Sequence, residues 1–525
     1  MTGSSPTLSH GKTSPASVAY RVAEIRAAED AAMAAGPEGA LMARAARGLA
    51  AASRQWLAAR GTALAGARVA VLAGSGNNGG DALFAAAELA ARGARVDVLA
   101  LSAHLHEGGA QAVRRAGGRV MAAAAALPGA DAAGAARAAA EADLVLDGIV
   151  GIGGSGPLRP DAARLARAAA GRVIAVDLPS GIDPDTGVVA DPNACVEAEV
   201  TVTFGALKAG LVLPDGCWRA GAVQLVDIGL DPYLRPDTAA VDVMTLPGAA
   251  AFVAPPGRED DKYTRGVVGV VAGSQEYPGA GVLCTGSARF GGAGMVRYAG
   301  GAPDPVITRW PEVVPARQGP AKAGRAEAWI VGPGGGTDDA ARGRLADVLA
   351  MDVPVLVDAD AITLVAQDAQ LRSAVVGRRA ATLFTPHAGE FARLGGQLDH
   401  SAGRAEAVRR LAAELRSVVL LKGAATIVAA PDGPASVSSA GPSDLATAGS
   451  GDVLSGLIGS MLAAQRDQHD DAHVRRTAAA GAYLHGVAGQ IAAADSRPIV
   501  SEDVLNAVPS AIATARRAVS RGGVS

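Results

Sequence analysis

The chain has 525 residues, of which 49% are hydrophobic and only 3% aromatic, and its formal net charge is −3. That length exceeds one ordinary core and that apolar content excludes a disordered chain, so two domains built mainly from Ala, Val, Leu and Ile are expected. The near-neutral charge offers no basic face for nucleic acid, and no apolar run reaches a membrane span without a charge or turn signal, so neither partner is expected.

Three widely separated cysteines, Cys195, Cys217 and Cys284, form neither a disulfide framework nor a metal cluster. The polar leader MTGSSPTLSHGKTSP lacks the apolar core of a signal peptide, and the expected location is cytoplasmic. Helical spacing follows over 19–35 and 41–60. Short β-branched runs then alternate with helical stretches: RVAVLAG (68–74), the helix ALFAAAELAARG, RVDVLAL (95–101), DLVLDGIVG (143–151), RVIAVDLPSG (172–181), AEVTVTFG (198–205) and AVQLVDIGL (222–230). Such alternation is the pattern of an α/β fold, a parallel sheet with helices on both faces. Around 231–262 it lapses into Pro, Gly and acid, which sets a boundary between domains 1–240 and 241–525. Alternation resumes with GVVGVVAGS (266–274), AEAWIVGPGGG (326–336), PVLVDAD (354–360), ATLFTPH (381–387) and the run 417–433, and ends in the helical tracts GDVLSGLIGSMLAA and TAAAGAYLHGVAGQIAAA.

In the first half, LAGSGNNGGDAL (72–83) fits G-x-G-x-x-G through Gly74, Gly76 and Gly79. A glycine-rich turn between strand and helix lets backbone N–H groups approach an anion. The fingerprint alone does not name a reaction. A dehydrogenase site wants an acid at the end of the next strand, whereas Asp97 sits near its start, and a phosphate-binding P-loop fails because no G-K-[ST] follows. The better signal is the polar set expected at strand ends: Asn77, Asn78 and Asp81 in the first loop, Asp147 closing DLVLD, and Asp177 with Ser180 in DLPSG. Carboxyl ends of strands form the ligand crevice of an open α/β sheet, and hard oxygen donors suit an alkali or alkaline-earth cation. Read singly, Asp81 would be a helix cap and Asp147 or Asp177 a loop cap; the ordered set argues for a site.

The motifs GSGNNGGD, DGIVGIGGSGP (147–157), DLPSGID (177–183) and TFGALKAGLVLPDG (203–216), with the leading helix AEIRAAEDAAM, resemble the NAD(P)H-hydrate epimerase family over about residues 15–230. The resemblance implies a Rossmann-like three-layer domain that interconverts the R and S hydrates of damaged NADH and NADPH. It places substrate along Asn77, Asn78, Gly79, Gly80 and Asp81, and along Gly151, Ile152, Gly153, Gly154, Ser155, Gly156 and Pro157. Asp177 also touches substrate as the acid/base, moving a proton at the carbon that bears the hydroxyl. Asn78, Asp147 and Ser180 are implied as potassium ligands. The family usually reads NNGGDG where this chain has Ala82, which should matter little because a helix can begin at Ala.

In the second half, ATAGSGDVLSG (446–456) puts small residues before Asp452 and an apolar helix, which offers the N–H groups of Gly449, Ser450 and Gly451 to an anion and an acid to a reacting hydroxyl. LLKGAAT, GPGGG and TPHAGE end three other strands, the last carrying His387, which alone would be an ordinary loop-capping histidine. Together with KYTRGVVGVVAGSQEYPGAG (262–281), IVGPGGGT (330–337) and PVLVDADAI (354–362), these resemble the NAD(P)H-hydrate dehydratases of the ribokinase-like superfamily over about 250–515. The resemblance implies a ribokinase-like α/β domain. Lys422, Gly423, Ala424, Ala425 and Thr426 would bind nucleotide with Gly449–Gly451, Ala280, Gly334 and His387 would face the hydrate, and Asp452 would be the base. ADP would be the co-substrate with magnesium on its phosphates, releasing AMP and phosphate. The chain has Asp261-Lys262-Tyr263 where the family reads H-K-G, and Ala448 where it tends to have Gly. The expected partners are thus NADHX, NADPHX and ADP, with a homo-oligomer hinted at by the alanine-rich helices. Two rivals predict different outcomes: a small-molecule kinase fused to a nucleotide-binding module would release a stable phosphorylated product, and a non-catalytic nucleotide sensor would tolerate loss of Asp177.

Overall fold

Along the strand Arg68–Ala73 the side chains alternate: Val69, Val71 and Ala73 enter one buried cluster, while Ala70 and Leu72 enter another. A strand that is apolar on both faces must be covered on both, and helices do so here. A computed structural model describes residues 17–154, 156–398, 402–465 and 469–522, with the side chains of 519–522 excepted. By internal packing the chain divides at Val241/Asp242.

The first unit carries a parallel sheet in the order Arg119–Ala122, Arg95–Ala100, Arg68–Ala73, Leu144–Gly148, Val173–Val176, Val200–Phe204, Ala222–Val226. One cluster lies under Ala40–Ala59 and Asn77–Ala91, the other under Ala132–Glu141 and Pro160–Ala168. Strand order reverses between Arg68–Ala73 and Leu144–Gly148, so their outgoing loops diverge and leave a crevice at the sheet's carboxyl edge.

The second unit repeats the class with a different edge. Its parallel core runs Met295–Tyr298, Val267–Val271, Ala328–Val331, Val355–Val357, Thr382–Phe384, Val418–Leu421. The sheet continues antiparallel through Thr426–Ala429 and Ala435–Ser438. The run 417–433, read from sequence as a single element, is therefore a hairpin: Lys422-Gly423 interrupts the apolar stretch and Leu421 pairs back onto Ile427. Ser450–Ala464 and Asp471–Ala492 pack on one face with Ser501–Gly522, a helix the sequence reading did not anticipate. No helix among the described residues is long and apolar enough to cross a membrane.

Candidate active sites

In the first unit a cavity of about 620 Å³ opens at the crevice, lined among others by Glu29, Asn77, Asn78, Asp81, Gly151–Gly153 and Asp177. The helix that feeds it begins at Asn77, so NNGGD is helical and neither a loop nor the prelude to a helix starting at Ala82. Gly79 and Gly80 are small because of packing. A Cβ on Gly79 would sit 2.5 Å from the carbonyl oxygen of Gly74, and one on Gly80 would sit 2.9 Å from the His106 ring. Gly74 is equally constrained, because its Cβ would fall 2.0 Å from the carbonyl oxygen of Ile149. Two fingerprint glycines thus bring the two outgoing loops together, and only Gly76 faces open space.

That closeness points Asn78 and Asp81 inward. Both polar atoms of the Asn78 amide and Oδ1 of Asp81 are buried without a hydrogen-bond partner, a cost of order 1–3 kcal/mol each unless a ligand relieves it. Burial, with Asp177 and Glu29 nearby, pushes the Asp81 carboxyl up to about 8. Asp177 follows Val173–Val176 with φ +67°, a strained left-handed conformation that residues other than glycine rarely adopt. Its Oδ1 accepts from Thr203 Oγ1 (3.2 Å), from the Phe204 N–H (3.3 Å) and from the buried Lys208 ammonium. Lys208 Nζ also donates to Thr203 Oγ1 (3.0 Å) and the Phe204 carbonyl (2.8 Å). Lys208 stood inside TFGALKAG without an assigned role; a lysine amid apolar residues was the available signal, because once buried it needs a counter-charge.

Asp147 and Ser180 lie beside the cavity but outside its lining. Asp147 accepts from the Ser180 hydroxyl at Oδ1 (2.7 Å) and from the Ser180 N–H at Oδ2 (2.8 Å), and Ser180 Oγ accepts from the Val150 N–H (3.0 Å). Burial raises the Asp147 carboxyl to about 6 against those hydrogen bonds. Asn78 joins this group through Gly151, whose Cβ position is 3.1 Å from Asn78 Oδ1. Of the 151–157 stretch, Gly151, Ile152 and Gly153 line the cavity, Gly154, Gly156 and Pro157 do not, and Ser155 lies outside the described residues.

In the second unit a cavity of about 580 Å³ is lined by His387, Lys422, Gly423, Ala424, Thr426, Ser450 and Gly451, together with an apolar end at Leu445, Leu454 and Ala482. Gly449, at φ +84°, turns the chain into the helix Ser450–Ala464, and Lys422 Nζ stands 3.5 Å from where a Gly451 Cβ would be. A cation and a helix N-terminus therefore converge on one spot, an arrangement that favours an anion. Burial works against the Lys422 charge, yet Asp358 and Glu390 hold the ammonium above its ordinary range. Asp358, buried at the end of Val355–Val357, accepts from Lys422 Nζ (2.9 Å) and from Ser455 Oγ (2.7 Å). It too was missed, although an acid closing an apolar strand was visible in PVLVDAD.

Asp452 sits in the first turn of that helix, next to the cavity lining, and burial with Asp358 nearby raises its carboxyl to about 7. Asp360, the next acid along, accepts from the Gly336 N–H (2.9 Å) and ties the GPGGG loop to this group. Gly334 and Ala280 meet, the Ala280 Cβ lying 2.6 Å from a Cβ built on Gly334, but neither lines this cavity. Ala425 and Gly449 also lie behind the lining. His387 caps the helix Ala388–Arg393, its Nδ1 accepting from the Gly389 N–H (2.9 Å), so a neutral ring carries its proton on Nε2. It is both a cap and a wall of the cavity.

Residues 38–210 match the family described as YjeF-related protein N-terminus, and residues 268–509 match the family NAD(P)H-hydrate dehydratase. A bifunctional NAD(P)H-hydrate repair enzyme of Mycobacterium leprae is 46% identical over 485 residues, covering 91% of this chain and 95% of its own. Its namesake in Mycobacterium tuberculosis is 48% identical over 451 residues, covering 85% and 89%. The chain belongs to the bifunctional NAD(P)H-hydrate repair enzymes. It is an enzyme with two activities, hydrate epimerase and hydrate dehydratase, whose family matches fall in the first and second unit respectively. A solved ADP/ATP-dependent NAD(P)H-hydrate dehydratase of Bacillus subtilis, co-crystallised with ATP and Mg²⁺, is 26% identical at a TM-score of 0.45, over 52% of this chain and 97% of its own.

Proposed function

We propose that Asp177 is the acid/base of the epimerase and Asp452 the base of an ADP-consuming dehydratase, with the R and S hydrates of NADH and NADPH as substrates. In the first unit the hydrate lies along Asn77–Asp81 and Gly151–Gly153, where it relieves the unpartnered Asn78 amide and Asp81 carboxyl. Lys208 bonds the Asp177 carboxylate at Oδ1 and holds it in place for proton transfer. Asp147, Ser180 Oγ and the Val150 carbonyl are grouped, and Asn78 Oδ1 stands beside Gly151 of the same loop; these oxygens would hold potassium and fix the 148–151 loop when bound.

In the second unit the problem is a poor leaving group. Asp452 accepts the proton of the hydrate's hydroxyl, whose oxygen attacks the terminal phosphorus of ADP. Lys422 and the N–H groups of Ser450 and Gly451 hold the phosphates, and Lys422–Thr426 carries the nucleotide. Phosphate then departs with its bonding pair, the adjacent carbon loses a proton, and the ring double bond returns with AMP and phosphate as by-products. Gly334, Ala280 and His387 hold the hydrate. Among the described residues no group of three or more His, Cys, Asp or Glu is arranged to hold a metal, so magnesium would arrive on the nucleotide and neutralise its phosphates.

The observation that carries this assignment is the convergence of Lys422 and a helix N-terminus beside a carboxyl poised near neutrality. It is tested with mixed R and S hydrates of NADH plus ADP, followed by NADH absorbance. Wild type restores all of it, Asp177→Asn stalls after the S fraction and Asp452→Asn restores almost none. Full restoration by both variants overturns the assignment.

A further inference from the structure

The epimerase cavity gathers three carboxylates, Glu29, Asp81 and Asp177, around one ammonium, Lys208. The hydrogen bonds of Lys208 go to Asp177 Oδ1, Thr203 and the Phe204 carbonyl, so its charge is committed to Asp177. Every hydrogen bond described for the Asp177 carboxylate ends on Oδ1, which leaves Oδ2 for the cavity. Asp81 stands on a different element, the helix Asn77–Ala91, with Oδ1 buried and unpartnered. The other charged or titratable groups lining the cavity are Arg26, whose guanidinium donates to the Ile152 carbonyl, Glu38, and His106, whose Nδ1 caps its own helix.

We infer, granted the epimerase reading above, that Asp81 is a second catalytic residue, a general acid working with Asp177 as general base, and that the pair inverts the hydrate by opening and reclosing its ring. Hydration of the nicotinamide ring puts the hydroxyl on the carbon bonded to the ring nitrogen, which makes a hemiaminal. Asp177 removes the hydroxyl proton, the oxygen's pair forms a carbonyl, and the carbon–nitrogen bond breaks. Its electron pair passes to nitrogen, where the remaining ring double bond delocalises it into the carboxamide, and Asp81 delivers a proton there. The product is an open-chain aldehyde. Rotation about the bond that holds the aldehyde presents its other face and nitrogen re-adds. Asp81 takes its proton back and Asp177 returns one to oxygen. Nothing is oxidised or reduced, and no co-reactant is needed. Removing the hydrogen from the carbinol carbon instead would leave a carbanion with no adjacent carbonyl to stabilise it.

One carboxyl protonated and one ionised at neutral pH is the condition for such a pair. Burial and the neighbouring Asp177 and Glu29 put the Asp81 carboxyl at about 8, so it holds a proton to deliver at neutral pH. Turnover of the R hydrate should therefore fall as pH rises through about 8.

The experiment follows R-hydrate consumption, coupled to the same chain's dehydratase, across pH and in deuterated water. Wild type is expected to show the alkaline loss and to keep the carbinol hydrogen. Asp81→Asn should lower kcat by ~10²–10⁴-fold, a larger loss than any rise in KM from the missing substrate contact, and show no alkaline limb; Asp81→Glu should recover part of it. Glu29→Gln should move the limb to lower pH by removing a negative neighbour. S-hydrate dehydration by Asp81→Asn reports a folded second unit, and a cooperative thermal melt of the first unit reports that it is folded. Deuterium at the carbinol carbon, a raised KM with unchanged kcat in Asp81→Asn, or loss of the limb in Glu29→Gln overturns the acid role of Asp81 or the ring-opening route. A wild-type chain that leaves the R hydrate untouched overturns the epimerase reading itself.

Discussion

The two cavities set a carboxylate at the end of a parallel strand or the start of a helix, and each has a lysine beside it, yet they use the lysine in opposite ways. In the first unit Lys208 bonds Asp177, the proposed base, directly at Oδ1. In the second, Lys422 bonds Asp358 and leaves Asp452 without a direct cation, its carboxyl raised to about 7. On the roles proposed above, a base that works beside a protonated acid is held in place by the first arrangement. A base that must take up a proton once per turnover near neutral pH is served by the second, in which Lys422 is left for the proposed nucleotide phosphates.

The largest effects should come from removing the two carboxylates one at a time. Asp452→Asn is expected to lower the dehydration rate ~10²–10⁴-fold while R/S interconversion continues, and Asp177→Asn the reverse. If either variant disabled both reactions, the separation of roles would fail.

Removing the lysines tests the contrast itself. Lys208→Met strands Asp177 at 7% exposure without its counter-charge, and breaking such a buried pair costs ~3–5 kcal/mol. Denaturant unfolding of the first unit should register it. Lys422→Met also strands a carboxylate, Asp358, but the Lys422 side chain is 22% exposed and Ser455 still donates to Asp358. Its stability loss should be the smaller, and its main effect a raised KM for ADP. An equal loss in both would mean that the two lysines do the same work.

The raised carboxyls also have a stability signature. Asp452 titrates near 3.8 unfolded and at about 7 folded. Below 3.8 both states hold the proton; between 3.8 and about 7 only the folded chain does, so folding is favoured less and less as pH rises through that window and the difference is constant above it. Asp452→Asn should therefore melt above wild type at pH 8 and close to it at pH 4. A carboxyl tied to a cation would show the opposite sign, with its loss costing stability at pH 8.

Much of this could be read from the chain because the fold is written in short-range signals. Alternating β-branched runs gave six of the first unit's strands, and the Pro/Gly-rich stretch near 231–262 marked where the pattern broke, but the edge strand Arg119–Ala122 has no such run and was not read. What escaped depended on tertiary contact. NNGGD reads as a turn by propensity, yet it is helical because Gly79 and Gly80 are demanded by the Gly74 carbonyl and the His106 ring, contacts no local window contains. Lys208 and Asp358 were in quoted motifs, but their roles rest on partners 31 and 64 residues away. The hairpin within 417–433 was hidden because apolar residues flank its turn on both sides.

The smallest predicted effect separates packing from ligand binding within one fingerprint. Gly74 cannot accept a Cβ, because the Ile149 carbonyl oxygen would lie 2.0 Å away, so Gly74→Ala must push apart the loops that aim Asn78 and Asp81. Gly76 is the opposite case. Its φ of −91° suits any residue, and a Cβ there meets nothing within 4 Å. Gly76→Ala should thus change stability by no more than ~0.5 kcal/mol. Gly76 nevertheless lines the cavity at the N-terminus of the helix, where a ligand's polar groups would approach the backbone. Thermal melts unchanged with a severalfold higher KM for the R hydrate would identify Gly76 as the one fingerprint glycine kept small for substrate. An unchanged KM would leave all the constraint on this loop with packing, and the hydrate would have to be held by Asn78, Asp81 and the 151–153 segment alone.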